Sequence, residues 1–269
     1  MQNLNCALVQ CELAWEAPAD NRRQFDDLIA GIDNDCDLIV LPEMFTTGFS
    51  MNALANAEAP GGDTEQWLLE VARRHDCAVT GSIAVRVDDA VYNRMLFATP
   101  GGCRHYDKRH LFRMAGEHKR YAPGSERVVV GWRGWRILLQ VCYDLRFPVF
   151  SRNVDDYDLA IYVANWPEPR RLHWRSLLQA RAIENLACVI GVNRVGSDAS
   201  GLSYSGDSLV VDANGRLLAD PLNENGTVSA VLDGAVLLKY RESFPCQLDA
   251  DGFQLAEVTH SAQALTPRK

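Results

Sequence analysis

Asp37-Leu38-Ile39-Val40-Leu41-Pro42-Glu43 holds a continuous apolar run, Leu38 to Leu41, opened by an aspartate and closed by a proline and a carboxylate. Strict apolar/polar alternation would mark a strand with one wet face. A continuous run marks a short strand covered on both faces, as in α/β sheets. Upstream, Leu4-Asn5-Cys6-Ala7-Leu8-Val9 reads as a first strand, and Phe25, Leu28, Ile29 and Ile32 recur at the spacing of one helix face. Downstream, Asp63 and Gln66 resemble a capping box opening a second helix, with Trp67, Leu68, Val71 and Ala72 on its apolar side. Residues 78–85 form a third strand.

Beyond this point the rhythm changes. Residues 92–98 and 104–108 flank Pro100-Gly101-Gly102, residues 128–132 and 136–141 flank Gly134, and residues 208–211 and 216–218 flank Asn214-Gly215. Each reads as an antiparallel hairpin. Between the last two, residues 159–164, a helix over 174–185 and residues 188–193 return to strand–helix–strand, and a strand at 228–232 precedes a helix at 234–242. The loop from Phe49 to Gly62 is long enough to be a lid or the wall of a site. With no repeat, low-complexity tract or linker, the pattern predicts one α/β domain over residues 1–269, its mixed sheets covered by crossover helices.

Composition narrows the function. Twenty-seven basic against 35 acidic side chains leave a net charge of −8, which argues against nucleic acid or an anionic membrane as partner. The first residues already read as a strand, with no basic leader or cleavage site, and no apolar stretch approaches the ~18 residues of a membrane span. Eight cysteines are scattered without a Cys-x-x-Cys pair, several inside apolar runs. A soluble, reduced, cytoplasmic protein is expected.

Four side chains could carry chemistry. Cys142 ends the apolar strand Ile137-Leu138-Leu139-Gln140-Val141, where α/β sheets place their ligands; it is either a nucleophile or an inert packing thiol. Glu43 follows a strand that should be buried, and desolvation there would raise its pKa toward that of a general acid/base; a capping or ion-paired glutamate is the plain alternative. Lys108 closes a hairpin strand in Tyr106-Asp107-Lys108-Arg109-His110-Leu111-Phe112. It belongs either to a solvated basic segment or to a site, where it would lower a thiol's pKa and meet an oxyanion. Glu117 reads as a loop residue. Other templates fit worse: Cys142-x3-Arg146 is too short for a phosphatase loop, His105-x4-His110 is a poor metal pair, and no phosphate-cradling glycine loop is present.

Taken together, Leu41-Pro42-Glu43, the Tyr106–Phe112 segment and Val141-Cys142-Tyr143-Asp144-Leu145-Arg146-Phe147-Pro148 resemble, in order and spacing, the three signature blocks of the carbon–nitrogen hydrolase (nitrilase) superfamily. Cys142 to Pro148, Ala164-Asn165-Trp166-Pro167 and Arg241-Glu242-Ser243-Phe244-Pro245 are similar to its ω-amidase (2-oxoglutaramate amidase) branch. The resemblance implies an αββα sandwich of two mixed sheets flanked by helices, with a C-terminal tail from about residue 243. It implies Cys142 as nucleophile, Glu43 as general base, Lys108 as electrostatic stabiliser, Glu117 as a second glutamate beside the substrate and the Tyr143 backbone N–H as an oxyanion donor. The expected reaction is hydrolysis of a small ω-amide through a thioester, with no metal or organic cofactor. Nitriles, N-carbamoyl amino acids and deaminated glutathione are the alternative substrates, and a non-catalytic binding protein is the alternative class. Arg146 is the expected partner of a substrate carboxylate, unless it forms an ion pair with an acid such as Asp144, and Trp166 is the expected pocket wall. A homodimer is also implied.

Overall fold

The computed structural model describes residues 1–255. The first half of the chain runs β1 (Leu4–Gln10), α1 (Pro18–Ile29), β2 (Leu38–Val40), α2 (Ala53–Asn56), α3 (Asp63–His75), β3 (Ala78–Val87), β4 (Ala90–Thr99) and β5 (Gly102–Asp107). The second half runs β6 (Val129–Trp132), β7 (Trp135–Val141), α4 (Pro148–Ser151), β8 (Leu159–Ala164), α5 (Arg171–Asn185), β9 (Cys188–Asn193), β10 (Val195–Ser197), β11 (Ser203–Ser205), β12 (Leu209–Val211), β13 (Leu217–Ala219), β14 (Gly226–Leu232) and α6 (Gly234–Ser243).

Two six-stranded sheets result, in the orders β14-β1-β2-β3-β4-β5 and β13-β12-β9-β8-β7-β6. Each has a parallel centre, β1-β2-β3 in one and β7-β8-β9 in the other, continued by antiparallel strands. Successive strand residues face opposite ways, and the core divides accordingly. Leu4, Cys6, Leu8, Leu38 and Val40 join the cluster shared with the second sheet. Their neighbours Ala7, Val9, Ile39 and Leu41 join Phe25 and Ile29 of α1 and Leu68, Val71 and Ala72 of α3. Trp174, Leu178 and Ala182 of α5 cover the second sheet, which gives helix, sheet, sheet and helix layers.

The layer under α5 is tight at Gly191, in β9. A Cβ there would lie 2.4 Å from Leu178 Cδ1 and 2.9 Å from Trp174 Cζ2. Gly191→Ala is expected to cost about 1–3 kcal/mol by overpacking. A thermal melt should show a Tm lower by about 2–4 °C per kcal/mol in a chain of this size. An unchanged Tm would mean that α5 can lift from the sheet without loss.

Several elements differ from the sequence reading. Asp63 is not an N-cap: Gly62 holds that position, and the Glu58 carboxylate accepts the Thr64 N–H at 2.8 Å from outside the helix. The third strand runs on to Val87 and turns through Asp88-Asp89 directly into β4, with Val87 opposite Ala90. Asp88 supplies the left-handed φ of +52° usually left to glycine. The β10–β11 hairpin, paired outside both large sheets, had no counterpart in the pattern. The expected C-terminal tail continues beyond the described residues; its described start is a 3-10 turn over Cys246–Asp249. Among the described residues no helix is long and apolar enough to cross a membrane.

Candidate active site

The sheets bring strand ends from both halves to one place: Glu43 follows β2, Lys108 follows β5, Cys142 follows β7 and Asn165 follows β8. At Cys142 the chain leaves β7 through a left-handed φ of +46° and enters a 3-10 turn over Cys142–Arg146. Such a conformation costs a non-glycine residue of order 1–3 kcal/mol and needs support. The fully buried Asp144 carboxylate supplies it. Its Oδ2 accepts the Val141 N–H at 2.9 Å and the Tyr106 hydroxyl at 2.8 Å, while Oδ1 accepts the His110 N–H at 3.0 Å and contacts His110 Nδ1 at 2.7 Å. Because an ionised carboxylate only accepts, the His110 proton sits on Nδ1. One side chain thereby ties the turn after Cys142 to the segment that carries Lys108.

Glu43, Lys108 and Glu117 are fully buried. The Lys108 ammonium donates to Glu43 Oε1 at 2.8 Å and to Glu117 Oε1 and Oε2 at 3.0 and 3.1 Å. Glu43 is held further by Asn93 Nδ2 on Oε1 at 2.8 Å and by the Asn165 N–H on Oε2 at 2.7 Å. Glu117 accepts the Phe112 N–H at 2.5 Å, and Asn93 bridges the two carboxylates with a 3.3 Å contact to Glu117. Burial works against the lysine charge, but the Glu117 and Glu43 carboxylates outweigh it and hold the Lys108 pKa well above the ordinary value. Burial also raises the pKa of Glu117, with Lys108 pulling it down and Glu43 pushing it up.

Cys142 lies within the same field, its Sγ 4.0 Å from the carbonyl of Asn165, the residue whose N–H holds Glu43. The sequence reading had the lysine lower the thiol's pKa; Lys108 does pull it down, but other groups outweigh the pull. Burial comes first, Glu43 and Glu117 add to it, and Lys108 offsets only part, so the thiol is pushed well above its ordinary range. The resting cysteine is protonated, in the field of two buried carboxylates.

Above Cys142 opens a cavity of about 370 Å³ walled by Phe49, Met51, Phe112, Tyr143, Trp166 and Tyr204, among others. The loop after Phe49 therefore forms wall, through Phe49 and Met51. Arg146 also faces this cavity and does not pair with Asp144. Its guanidinium lies 4.6 Å from the Trp166 ring centroid, with Nη2 3.1 Å from His173 Nδ1. Trp166 is fixed in turn by its N–H to Asn193 Oδ1 at 2.7 Å and its Nε1–H to the Arg170 carbonyl at 2.8 Å.

The carbon–nitrogen hydrolase family model matches residues 5–242. The chain belongs to the carbon–nitrogen hydrolase family. Among members of this family, the "Omega-amidase YafV" of Escherichia coli K12 is 51% identical over 257 residues, covering 95% of this chain and all of that one. The "2-oxoglutaramate amidase" of Bacillus subtilis is 35% identical over 243 residues, 88% of this chain and 93% of its own. The crystal structure of XC1258 from Xanthomonas campestris, a CN-hydrolase superfamily protein with an arsenic adduct in its active site, superposes with a TM-score of 0.93. It is 46% identical and covers 95% of this chain and 100% of that one.

Sequence reasoning missed some residues of this candidate site. Asn93 carries the clearest signal: a strand-averse polar residue at a fully buried position of β4. Asn165 stood inside a quoted motif without a role, and Asp144 entered only as a partner for Arg146. Arg170 and the β10–β11 residues gave no local signal.

Proposed function

We infer that this protein is an ω-amidase, which hydrolyses the terminal amide of 2-oxoglutaramate or 2-oxosuccinamate to ammonia and a dicarboxylic keto acid. The observation that carries this reading is the buried Cys142 thiol against Asn165, whose N–H fixes the Glu43 carboxylate beside the Lys108 ammonium, under a cavity with an arginine in its wall. The identity to an omega-amidase over 95% of the chain supports it.

In the proposed mechanism Glu43 takes the thiol proton as sulfur attacks the amide carbon. Lys108 Nζ and the Tyr143 N–H meet the tetrahedral oxyanion; Tyr143 lies in the first turn after the strand, where amides lack an intrahelical acceptor. Glu43 then gives its proton to the leaving nitrogen, ammonia departs, and a thioester remains on Cys142. Water, deprotonated by the same carboxylate, hydrolyses the thioester and regenerates the thiol. Glu117 holds the lysine and the Phe112 backbone in place beside the substrate.

Arg146 binds the substrate carboxylate, with Trp166 behind it. Charge-assisted hydrogen bonds are worth about 1.5–3 kcal/mol, so Arg146→Ala should lower kcat/KM for 2-oxoglutaramate by about 10- to 100-fold. An unchanged kcat/KM would remove the carboxylate-binding role. Ammonia release across 2-oxoglutaramate, nitriles, N-carbamoyl amino acids and deaminated glutathione tests the whole reading, and a clear preference for any of the last three would overturn it. The chain acts as one hydrolase domain, a reading supported by the family match ending at residue 242. Its eight free cysteines, six of them buried, support a reducing, cytoplasmic setting. The homodimer expected from the resemblance is checked by sedimentation.

A further inference from the structure

The cavity above Cys142 holds a second arginine in its wall. Arg170 ends a 3-10 turn over Glu168–Arg170, and its guanidinium lies 5.5 Å from the Phe112 ring centroid. Its neighbours in sequence are committed elsewhere: Arg171 pairs with Asp207, and Arg175 with Asp207 and Asp220. Among the described residues, Arg146 and Arg170 make no ion pair; each lies over an aromatic ring in the cavity wall. The two cations sense each other. After burial, and against a pull from Tyr143, Arg170 is a cause that lowers the Arg146 pKa.

One carboxylate lines the same cavity, that of Asp198, and it is already occupied. Its Oδ1 accepts the Ser200 N–H at 2.9 Å, the Ser200 hydroxyl at 2.6 Å and the Leu202 N–H at 3.0 Å, and its Oδ2 accepts the Tyr204 hydroxyl at 2.9 Å. Four donors from its own hairpin leave little acceptor capacity for a ligand. The cavity wall therefore offers two guanidinium groups without carboxylate partners and no uncommitted acid.

We propose that Arg170 is a specificity-determining residue: with Arg146 it makes the cavity accept the 2-oxo-carboxylate end of a substrate and reject the α-ammonium of the matching amino-acid amide. The inference rests on the ω-amidase reading above. A 2-oxo acid presents only acceptors and a negative charge at that end, all of which guanidinium N–H groups satisfy. An amino-acid amide such as L-glutamine presents the same carboxylate beside a cation, which would sit next to two like charges without a free counter-ion. Discrimination then comes from repulsion of the wrong ligand as well as attraction of the right one. Arg146 alone binds a carboxylate without distinguishing the two, whereas a second cation gives the α-position its preference.

The test compares wild type and Arg170→Met, with 2-oxoglutaramate as substrate and L-glutamine as competing ligand. The variant should show a KM for 2-oxoglutaramate raised about tenfold or more, the loss of a charge-assisted contact, with kcat nearly unchanged. L-glutamine should inhibit the variant at lower concentrations than it inhibits wild type, so the ratio of the two affinities collapses. If KM and the glutamine inhibition constant rise by the same factor, Arg170 is merely structural and the proposal falls. If neither moves, it is a bystander and the proposal also falls. A wild-type enzyme that releases no ammonia from 2-oxoglutaramate would overturn the ω-amidase reading and this inference with it.

Discussion

Cys142→Ala is expected to release no ammonia from 2-oxoglutaramate above the buffer rate, while keeping the circular dichroism spectrum and nearly the Tm of the parent. The chemical half follows from what remains. Without sulfur no thioester forms, and in a serine hydrolase loss of the nucleophile costs on the order of a million-fold in kcat. The Ser200 and Tyr204 hydroxyls of the cavity wall are both already bonded to Asp198. The stability half follows from the environment of the sulfur. Its strained φ of +46° is the same burden for alanine as for cysteine, since both carry a Cβ. The turn is secured through Asp144 and Val141, neither of which the substitution touches. Ammonia assays with a melt alongside decide the matter, and turnover above about a thousandth of wild type would remove Cys142 from the nucleophile's role, given the size of the expected loss.

What was legible in the sequence was whatever one strand and its end could encode. The run from Leu38 to Leu41 announced a strand covered on both faces, and the structure sends its alternate residues into two different core clusters. The ends of such strands then located Glu43 and Cys142. Hairpins with glycine at the turn, such as that around Gly134, were equally plain. The turn at Asp88-Asp89 was not, because a left-handed aspartate carries no signal separable from an ordinary acidic loop. The ionisation of Cys142 lay furthest from view. It depends on how burial, two carboxylates and one ammonium sum at a point, and those groups lie as much as a hundred residues apart in the chain. Arg170 was invisible for a similar reason, since its meaning lies in what Arg146 and Asp198 do nearby.

Lys108→Met should lose catalysis and stability together, and the two losses can be separated. Removing one oxyanion donor costs about 3–4 kcal/mol of transition-state stabilisation, or about 10²- to 10³-fold in kcat. The structure adds a second loss. Lys108 neutralises two fully buried carboxylates, each within 3.1 Å of its ammonium. Breaking a buried ion pair from one side costs about 3–5 kcal/mol, because the charge left behind is uncompensated. The Tm should fall accordingly, with Glu43 and Glu117 left to neutral donors alone, one backbone N–H each and the bridging amide of Asn93. Adding Glu117→Gln removes one of the stranded charges, so the double variant should recover much of the Tm. It should recover none of the activity, since neither glutamine nor methionine brings a positive charge to the oxyanion. Recovery of both would mean that Lys108 serves only to neutralise its neighbours. A single variant with more than a tenth of wild-type kcat, against the loss of a hundredfold or more expected for an oxyanion donor, would exclude it from transition-state stabilisation.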